Sequence, residues 1–462
     1  MVRRAGIGIS VINLSKIISK KRIDAEYFHP EKTQIQNRLE KFSGKSVGEY
    51  FDTIRELYTP ESSDDELVFN FDLTDALSPF LDESTPKVVA GEIGSLKKRL
   101  ANGDVVISRL RSYLKEIAIV DVASKNKILG SSEFIVFRPK ANVNSDLLIS
   151  FLQSSSVQTI LKWSQDGSNH PRFKEDELLN IKLPSVIIQK QKNITDLTQK
   201  AVRKHRESFQ FYADAENLLA SELGLDKLDL SESLFNVRNV SDVMKSKRLD
   251  AEHFRQKYYR VIKVMEKLKP KSISTLGELT ETLTNGHTPL HHDLDTGDIP
   301  FFTAEHVYDF RLDHDNSRRI LKEHHETELK RTQLRNNDVL ITIKGRVGNA
   351  AVVYDLPTTT NINQDVALLR LKPGIHPWYI AGFLNSPAGK ALMEQIATGQ
   401  INPFLGLSNL AQVKVPIFEE KRMNEIGEKI RKTVEKAEAA SQETKHLLAE
   451  AKSEVERLIE GG

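Results

Sequence analysis

Apolar residues recur at spacings of three and four, or at sums of these spacings, in two long stretches of the chain. The first stretch covers 189–225 and the second covers 419–462. This periodicity predicts two long amphipathic helices. Because the helices are similar in length and carry few large apolar residues, we expect them to pair with each other as an antiparallel coiled coil. A helix of about 35 residues rises roughly 50 Å from end to end.

The stretch before each long helix has the pattern of a mixed α/β globule with a largely antiparallel sheet. A helical segment opens each globule, and Asp24 and Asp250 are its expected caps. One short helix, over 147–163 or 378–396, is predicted near the end of each globule. The apolar and β-branched runs that predict strands are 67–69, 105–107, 117–120 and 134–137 in the first globule and 339–343, 350–353 and 366–371 in the second.

The two globules repeat each other in sequence. Arg22-Ile23-Asp24-Ala25-Glu26 corresponds to Arg248-Leu249-Asp250-Ala251-Glu252, an offset of 248 − 22 = 226. Further blocks pair 104–108 with 338–342 and 133–184 with 365–416. Three blocks in the same order at nearly constant spacing indicate an internal duplication, and two copies are too few for a solenoid.

Composition narrows the possible function. The 462 residues include 66 Lys and Arg against 64 Asp and Glu, so the formal charge is +2 and any nucleic-acid binding must come from local clusters. Cysteine is absent, which excludes disulfides and cysteine nucleophiles and favours a cytoplasmic location. No run of about eighteen apolar residues predicts a membrane-spanning helix.

No complete catalytic or metal-binding motif is present in the sequence. A phosphate-binding loop is absent, and Gly6-Ile7-Gly8 lacks the preceding strand and third glycine of a dinucleotide fingerprint. Histidines crowd part of the second globule, but Pro289 interrupts the helical spacing between His287 and His291 that a pair of metal ligands needs. We therefore predict no catalytic residue, no metal site and no cofactor in this chain.

Local groups of basic and amide side chains are the candidates for binding nucleic acid. Arg and Lys neutralise phosphates or bond to guanine, whereas Asn and Gln can pair with adenine. Each residue could instead belong to a solvated surface, a hairpin turn or a cap, so the group carries more weight than any member. The candidate DNA-binding residues are Lys98, Arg109, Arg111, Lys115, His170, Arg172, Lys174, Lys344, Arg346, Asn349, Gln400 and Asn402.

Two related globules joined to long helices suit a ligand whose binding sites repeat at a fixed distance, and duplex DNA is the commonest such ligand. The second globule also carries a set of short segments: Gly286-x-Thr288-Pro289, Gly297-Asp298-Ile299-Pro300-Phe301, Asn337-Asp338-Val339-Leu340-Ile341 before Gly345-Arg346-Val347-Gly348, and Thr398-Gly399-Gln400-Ile401-Asn402 before Val415-Pro416. With the duplication and these segments, the chain resembles the specificity (S) subunits, HsdS, of type I restriction-modification systems over essentially its full length. The first half lacks the Gly-x-Thr-Pro segment of the second, which predicts a different half-site for it.

The resemblance implies an α/β (α+β) fold with two pseudo-twofold-related target-recognition domains. Their expected bounds, each with a helical segment at its start, are 1–188 and 226–418, and the spacer helices are 189–225 and 419–462. It further implies a non-catalytic subunit that reads a bipartite site in double-stranded DNA. The implied partners are two methyltransferase (M) subunits and, further, endonuclease (R) subunits. S-adenosylmethionine, ATP and Mg²⁺ would belong to those partners.

Two other interpretations of the sequence stay open at this point. The chain could be a coiled-coil scaffold that binds only proteins, which its near-zero net charge mildly favours. It could also be a self-contained DNA methyltransferase or nuclease whose site has no recognisable motif. Turnover of DNA by the purified chain, or a shallow salt dependence of its DNA affinity, would distinguish these alternatives.

Overall fold

The computed structural model describes residues 11–461 except 84, 141–142, 233–234, 247, 290–294, 357–358 and 400–402. The chain forms two compact units. The first comprises Met1–Arg206 and Ala440–Gly462, and the second comprises Glu207–Ala439. No helix in the described part of the chain is long and apolar enough to cross a bilayer.

The first unit combines two five-stranded sheets with short helices. Its helices are α1 (Leu14–Lys20), α2 (Pro30–Lys41), α3 (Val47–Tyr50), α4 (Ser145–Gln153), α5 (Ser155–Lys162), α6 (Glu175–Leu179), α7 (Ser185–Gln189) and the start of α8 (Gln191–Leu223). Its strands are β1 (Phe51–Ile54), β2 (Leu57–Tyr58), β3 (Leu67–Phe71), β4 (Phe80–Leu81), β5 (Lys87–Val89), β6 (Lys97–Leu100), β7 (Val105–Ser108), β8 (Ile117–Val120), β9 (Ile128–Ser131) and β10 (Phe134–Pro139). The sheet orders are β1-β10-β7-β8-β4 and β2-β6-β9-β3-β5, and only β4 with β8 and β3 with β9 run parallel among these described strands.

The second unit has the same kind of architecture. Its helices are the end of α8, α9 (Val240–Ser246), α10 (Gln256–Lys267), α11 (Leu276–Leu279), α12 (Lys322–Glu326), α13 (Pro377–Asn385), α14 (Pro387–Ile396), α15 (Leu407–Leu410) and the start of α16 (Glu420–Glu460). Its strands are β11 (Ser272–Thr275), β12 (Thr280–Asn285), β13 (Ile299–Phe302), β14 (Arg318–Ile320), β15 (Val339–Thr342), β16 (Ala350–Val352), β17 (Asn361–Ile362), β18 (Val366–Leu371) and β19 (Lys414–Ile417). The sheets are β12-β18-β15-β16, β14-β13-β17 and the pair β11-β19.

The central strand β10 is apolar on both faces, which explains its unbroken apolar sequence. Successive side chains of a strand point to opposite faces of the sheet. Ile135 and Phe137 pack in one core with residues of α4 and α5. Phe134 and Val136 pack in another core with residues of β3 and β6 from the other sheet. The mixed α/β class and the mostly antiparallel pairing predicted from the sequence are confirmed, but the strands divide between separate sheets.

The internal repeat extends to individual ion pairs. Arg138 donates to both carboxylate oxygens of the buried Asp104, at 2.8 and 2.7 Å. In the second unit Arg370 makes the same two bonds to the buried Asp338, at 2.8 and 2.7 Å. Both pairs lie at equivalent places in the duplicated sequence. The two units therefore share this internal ion pair, whereas the domain boundaries at 188 and 226 stay a prediction.

Asp24 and Asp250 do not cap the helices that follow them, so that prediction was wrong. Helix α2 begins at Pro30 and α10 begins at Gln256, each six residues after its aspartate (30 − 24 and 256 − 250). Asp24 instead accepts hydrogen bonds from the side chain of Arg22 at 2.8 and 3.1 Å. The equivalent pair of Arg248 and Asp250 has distances of 2.7 and 2.8 Å. Each aspartate also accepts from a backbone amide three residues later, Tyr27 N at 2.9 Å and His253 N at 3.1 Å, so the ion pair belongs to a turn.

Each unit has two short helices where the sequence predicts one, over 147–163 and 378–396. Ser154 separates α4 from α5, and Ser386 separates α13 from α14. Both serines have extended backbones, and each Oγ accepts a hydrogen bond from the next helix, at 3.4 and 3.3 Å. The single-helix prediction was wrong because the apolar pattern continues through the break, while a serine cap starts a new helix.

Ser386→Ala is expected to lower the free energy of unfolding of the second unit by about 1–2 kcal/mol, because it removes the cap of α14 at a fully buried position. The chain has two tryptophans, Trp163 in the first unit and Trp378 in the second. Urea denaturation followed by fluorescence in a Trp163→Phe background reports on the second unit. Ser154→Ala serves as the control, since it should leave this transition unchanged and shift only the transition seen at Trp163 in a Trp378→Phe background. A Ser386→Ala effect confined to Trp163 would contradict the assignment.

The long helices α8 and α16 pair in opposite directions. In the first unit the start of α8 packs with the end of α16, and Thr444 Oγ1 donates to Ala201 O at 3.5 Å. In the second unit the end of α8 packs with the start of α16, and Ser208 Oγ donates to Ala437 O at 2.7 Å. The two observed helices are 33 and 41 residues long, slightly shorter than predicted. The predicted antiparallel pairing is confirmed.

Candidate nucleic-acid interface

Backbone hydrogen bonds join two loops of the first unit. We call 109–115 and 164–174 the first loop pair. Arg109 N donates to Glu133 O at 3.2 Å, and Phe173 N donates to Arg109 O at 3.1 Å. Arg111 N also donates to Pro171 O at 2.8 Å. These bonds hold basic residues from distant parts of the sequence on one surface.

The second unit repeats this framework with other side chains. We call 343–349 and 396–406 the second loop pair. Ile343 N donates to Asp365 O at 2.9 Å, and Leu405 N donates to Ile343 O at 2.9 Å. The backbone bridge between Leu110 and Arg172 has its equivalent between Lys344 and Phe404. Because the backbone contacts match and the side chains differ, the two loop pairs present different chemistry on the same support.

Glu133 lies between two of the predicted arginines. Its carboxylate accepts from Arg109 Nε at 2.7 Å and from Arg172 Nη2 at 3.0 Å. The hydrogen bond from Arg172, reinforced by Arg109, lowers the pKa of Glu133 to about 2, although partial burial opposes the shift. Glu133 is therefore ionised at neutral pH, and the three side chains carry one net positive charge. Sequence reasoning missed Glu133; an acidic residue at both repeat positions, Glu133 and Asp365, was the available signal.

Glu133→Gln is expected to strengthen DNA binding at low salt and to steepen its salt dependence. Removing the carboxylate releases Arg109 and Arg172 for phosphates, and one additional phosphate contact changes the slope of log K against log salt by about 0.9. Fluorescence anisotropy of a labelled random-sequence duplex at several salt concentrations measures the slope. Glu450→Gln, an equal charge change at an exposed position of α16, is the control. A wild-type slope in Glu133→Gln would show that these arginines do not face DNA.

The remaining basic residues of the first loop pair are more accessible. The guanidinium of Arg111 lies 3.2 Å from His170 Nδ1. Lys115 and Lys174 are exposed, and neither side chain has a hydrogen bond or ion pair to any residue that the structure describes. Arg111 and Lys115 have left-handed backbones, with φ of 48° and 55°, on either side of a short helical turn. The loop thus turns sharply at two basic residues.

Lys98 has no place in this interface. Its side chain is buried, and its Nζ donates to Phe134 O at 2.8 Å. Burial lowers the pKa of Lys98, because a charged ammonium loses solvation inside the unit. The expectation that Lys98 contacts DNA is corrected accordingly. Successive side chains of a strand point to opposite faces of the sheet, and the sequence did not show that the face of Lys98 is buried.

The second loop pair carries two exposed cations. Lys344 and Arg346 are both exposed, and the guanidinium of Arg346 lies 5.4 Å from the ring centroid of Tyr308. Asn349 is half-buried, and its Nδ2 donates to Val307 O at 3.2 Å, which makes it a support of the loop. The predicted contacts Gln400 and Asn402 lie outside the described residues. Within the described ranges, no group of three or more His, Asp or Glu side chains could hold a metal ion.

Part of the chain is similar in sequence to a known protein. No family model matches the chain. The specificity subunit of the type I restriction enzyme EcoBI from Escherichia coli is 26% identical over 146 residues, which are 31% of this chain and 30% of that protein. The chain resembles a type I specificity subunit. The resemblance predicted from the sequence is therefore confirmed, and the chain matches about a third of the length of this curated relative.

Three solved structures can be aligned along most of the chain. The HsdS subunit from Thermoanaerobacter tengcongensis has a TM-score of 0.31 at 15% identity, covering 91% of this chain and 97% of that one. The type I S subunit from M. genitalium has a TM-score of 0.38 at 12% identity, covering 90% and 96%. A chain from a study of type I complex assembly and conformational transition has a TM-score of 0.34 at 15% identity, covering 90% and 97%.

Proposed function

We propose that this chain is the DNA-recognition subunit of a type I restriction-modification complex and that its two loop pairs read the two halves of a bipartite site. The observation that carries the proposal is the repeated loop framework. A duplicated support with the same backbone bonds, but with different exposed side chains, suits two different half-sites in one duplex. The similarity to a type I specificity subunit supports the same function.

The basic side chains of the first loop pair are not repeated at the equivalent positions of the second. Arg109 of the first loop pair corresponds to Ile343 of the second, and Arg172 corresponds to Phe404. Arg111 corresponds to Gly345, so the exposed arginine of the second loop pair is one residue further along, at Arg346. Because Arg bonds bidentately to guanine, we assign base contacts to Arg111 and Arg346.

The exposed lysines have a different role in the proposal. Lys115 and Lys174 of the first loop pair and Lys344 of the second contact phosphates, since an ammonium is a point charge without the planar fork that reads a base. Phosphate contacts set the register of the protein on the duplex and contribute affinity for any sequence. Half-site choice then depends on the arginines, and total affinity depends on both sets.

The chain itself is proposed to be non-catalytic and cytoplasmic. Two methyltransferase (M) subunits and, further, endonuclease (R) subunits would supply the chemistry, with S-adenosylmethionine, ATP and Mg²⁺ bound in those partners. A methyltransferase takes its target base out of the stack, so the role of this chain is to hold the partner at the correct base. The paired helices α8 and α16 would set the number of unread base pairs between the half-sites.

Selection from a library of random duplexes tests the proposal. Duplexes retained by the purified chain are expected to share two short words separated by a constant gap. Selection of one continuous word would contradict the bipartite assignment, and a failure to enrich any word would favour the scaffold interpretation. Incubation of the chain alone with DNA, Mg²⁺ and labelled S-adenosylmethionine should give no methylation and no cleavage; turnover would establish an enzyme.

A further inference from the structure

A cavity of about 550 Å³ lies within the second unit, beside the start of β15 and the end of β18. The second loop pair follows the other end of β15. The four residues of that strand alone span roughly 14 Å, so the cavity is separate from the surface proposed to contact DNA. Sites for small molecules typically have volumes of about 300–1,000 Å³, and this cavity lies within that range.

The lining of the cavity carries an excess of positive charge. Four basic side chains and two carboxylates line it, a formal sum of 4 − 2 = +2: Arg335, Arg370, Lys372, Arg431, Asp338 and Glu428. Glu435 accepts from Arg431 Nη1 at 3.0 Å from outside the lining, and counting it leaves a charge of +1. Burial lowers the pKa of His376, which also lines the cavity, so this side chain is neutral at pH 7.

Two of the four cations can bind an anion without breaking an ion pair. Arg335 is exposed, and its side chain has no hydrogen bond or ion pair to any residue that the structure describes. Lys372 is also exposed, and its Nζ donates to a neutral acceptor, Glu278 O, at 2.6 Å. A guanidinium matches phosphate oxygens with two parallel hydrogen bonds, and an ammonium adds a point charge beside it.

The first unit has the same backbone at the equivalent place but the opposite charge. Ala101 N donates to Asp104 Oδ2 at 2.8 Å. Arg335 N donates in the same way to Asp338 Oδ2 at 2.8 Å. At the lining positions the first unit has two cations and three carboxylates, a sum of 2 − 3 = −1. The positive cavity is therefore not required by the shared fold. Three replacements, at offsets of 335 − 101 = 234 and 431 − 199 = 378 − 146 = 232, account for the difference: Arg335 by Ala101, Arg431 by Gln199 and Trp378 by Asp146.

Helix α13 begins at this cavity without the cap that its counterpart has. At the start of α4, Asn144 Oδ1 accepts from Asp146 N at 3.0 Å. His376 makes no such bond at the start of α13. Its ring instead packs on α16, where a Cβ on Gly427 would collide with it. The start of α13 therefore has no N-cap side chain, and such a helix start adds to the attraction of the basic side chains for an anion.

We propose that this cavity binds a small organic phosphate, of the size and charge of a nucleotide, in the second unit only. Arg335 and Lys372 would contact the phosphate groups. The apolar part of the lining, Pro373, Ile375 and Pro377, would contact the organic part of the ligand. This volume exceeds the needs of a single inorganic ion and suits a ligand with both parts. The proposal does not depend on the proposed function, since no residue of a loop pair lines the cavity.

Titration of the full chain with ADP tests the site. Calorimetry should give one ADP per chain. Because Trp378 lines the cavity, its fluorescence in a Trp163→Phe background should change over the same range of ADP concentration. Adenosine, which lacks the phosphates, should bind about 10-fold more weakly or less. Arg335→Ala and Arg431→Gln introduce the residues of the first unit, and each should weaken ADP binding by about 10-fold, as for loss of one hydrogen bond to a charged group.

Arg331→Ala is the matched control, because Arg331 is an exposed arginine of the same unit that does not line the cavity. It should bind ADP as tightly as the wild type does. Absence of binding at about 1 mM ADP, two ADP per chain, or wild-type affinity in the double variant Arg335→Ala, Arg431→Gln would overturn the proposal.

Two competitors identify the ligand class. Inorganic phosphate bound as tightly as ADP would show a simple anion site and would overturn the assignment to an organic phosphate. Displacement of ADP by a random-sequence duplex would assign the cavity to the DNA backbone and would overturn it too. Selection of two DNA words tests the proposed function separately, and its outcome is unaffected by any of these results.

Discussion

Glu177→Gln is expected to lower the free energy of unfolding of the first unit by about 3 kcal/mol at pH 7. Glu177 lies in α6, and its side chain is 8% exposed. Its carboxylate accepts from Lys20 Nζ at 2.9 Å, from Lys32 Nζ at 3.2 Å and from the hydroxyl of Tyr27 at 2.5 Å. The substitution leaves the ammonium of Lys32, which is 2% exposed, buried without a counter-charge, and breaking a buried pair costs several kcal/mol.

The effect of Glu177→Gln should depend on pH in a defined direction. Burial alone would raise the pKa of Glu177, but the charge of Lys32 and the hydrogen bonds from Lys20 and Tyr27 outweigh it and lower the pKa from 4.5 to about 2. A lowered carboxyl pKa gives stability that is complete above about pH 4.5 and is lost as the pH falls toward 2. Burial lowers the pKa of Lys32 to about 8, so Lys32 is charged throughout this range.

Urea denaturation of the first unit measures this prediction. In a Trp378→Phe background the remaining tryptophan, Trp163, stacks on His29 at 3.7 Å and reports on the first unit. The difference between wild type and Glu177→Gln should shrink to about half or less between pH 7 and pH 3. Glu175→Gln in the same helix removes the charge paired with the exposed Arg55 but keeps an amide oxygen that can accept from Thr53 Oγ1, and it should cost less than about 0.5 kcal/mol. A pH-independent difference would contradict the role of the Glu177 charge.

Arg346→Ala is expected to weaken binding to the selected duplex by about 10- to 100-fold and to relax the sequence preference at one position of one word. A bidentate arginine contact to guanine contributes about 1–3 kcal/mol of discrimination. The exposed guanidinium lies near Tyr308 and has no ion pair in the described part of the chain, so its removal leaves no buried charge and should not destabilise the second unit.

The neighbouring Lys344→Ala provides the control for Arg346→Ala. A phosphate contact is independent of sequence, so Lys344→Ala should weaken binding to selected and random duplexes alike and reduce the salt slope by about 1. Anisotropy titrations with the selected duplex and its single-base variants distinguish the two results. Equal weakening on all sequences by Arg346→Ala would assign that arginine to a phosphate.

Much of the fold follows from local pattern. The strands β7, β8, β10, β15 and β18 are runs of apolar residues whose two faces both enter a core, and such runs are visible in the sequence. The long helices are visible for a similar reason, since α8 and α16 keep their apolar stripe over many turns. The duplication supported both predictions because each signal occurs twice.

Other features depend on contacts that the sequence does not display. Whether Lys98 points outward depends on the register of β6 in its sheet. The partner of Arg109 and Arg172 is Glu133, which is distant from both in sequence, so the net charge of the first loop pair could not be obtained from a count of cations. The buried group around Glu177 similarly joins this residue to Lys20, Tyr27 and Lys32, each more than 140 residues away in the sequence.

The most direct test of the proposed bipartite recognition is to shorten the paired helices. Deletion of 202–208 from α8 and 437–443 from α16 removes one matched heptad, because Ala201 contacts Thr444 and Ser208 contacts Ala437. Seven residues lose roughly 10 Å of rise, which equals about three base pairs. Repeated selection should recover the same two words with a gap about three base pairs shorter. The same words with an unchanged gap would contradict the account.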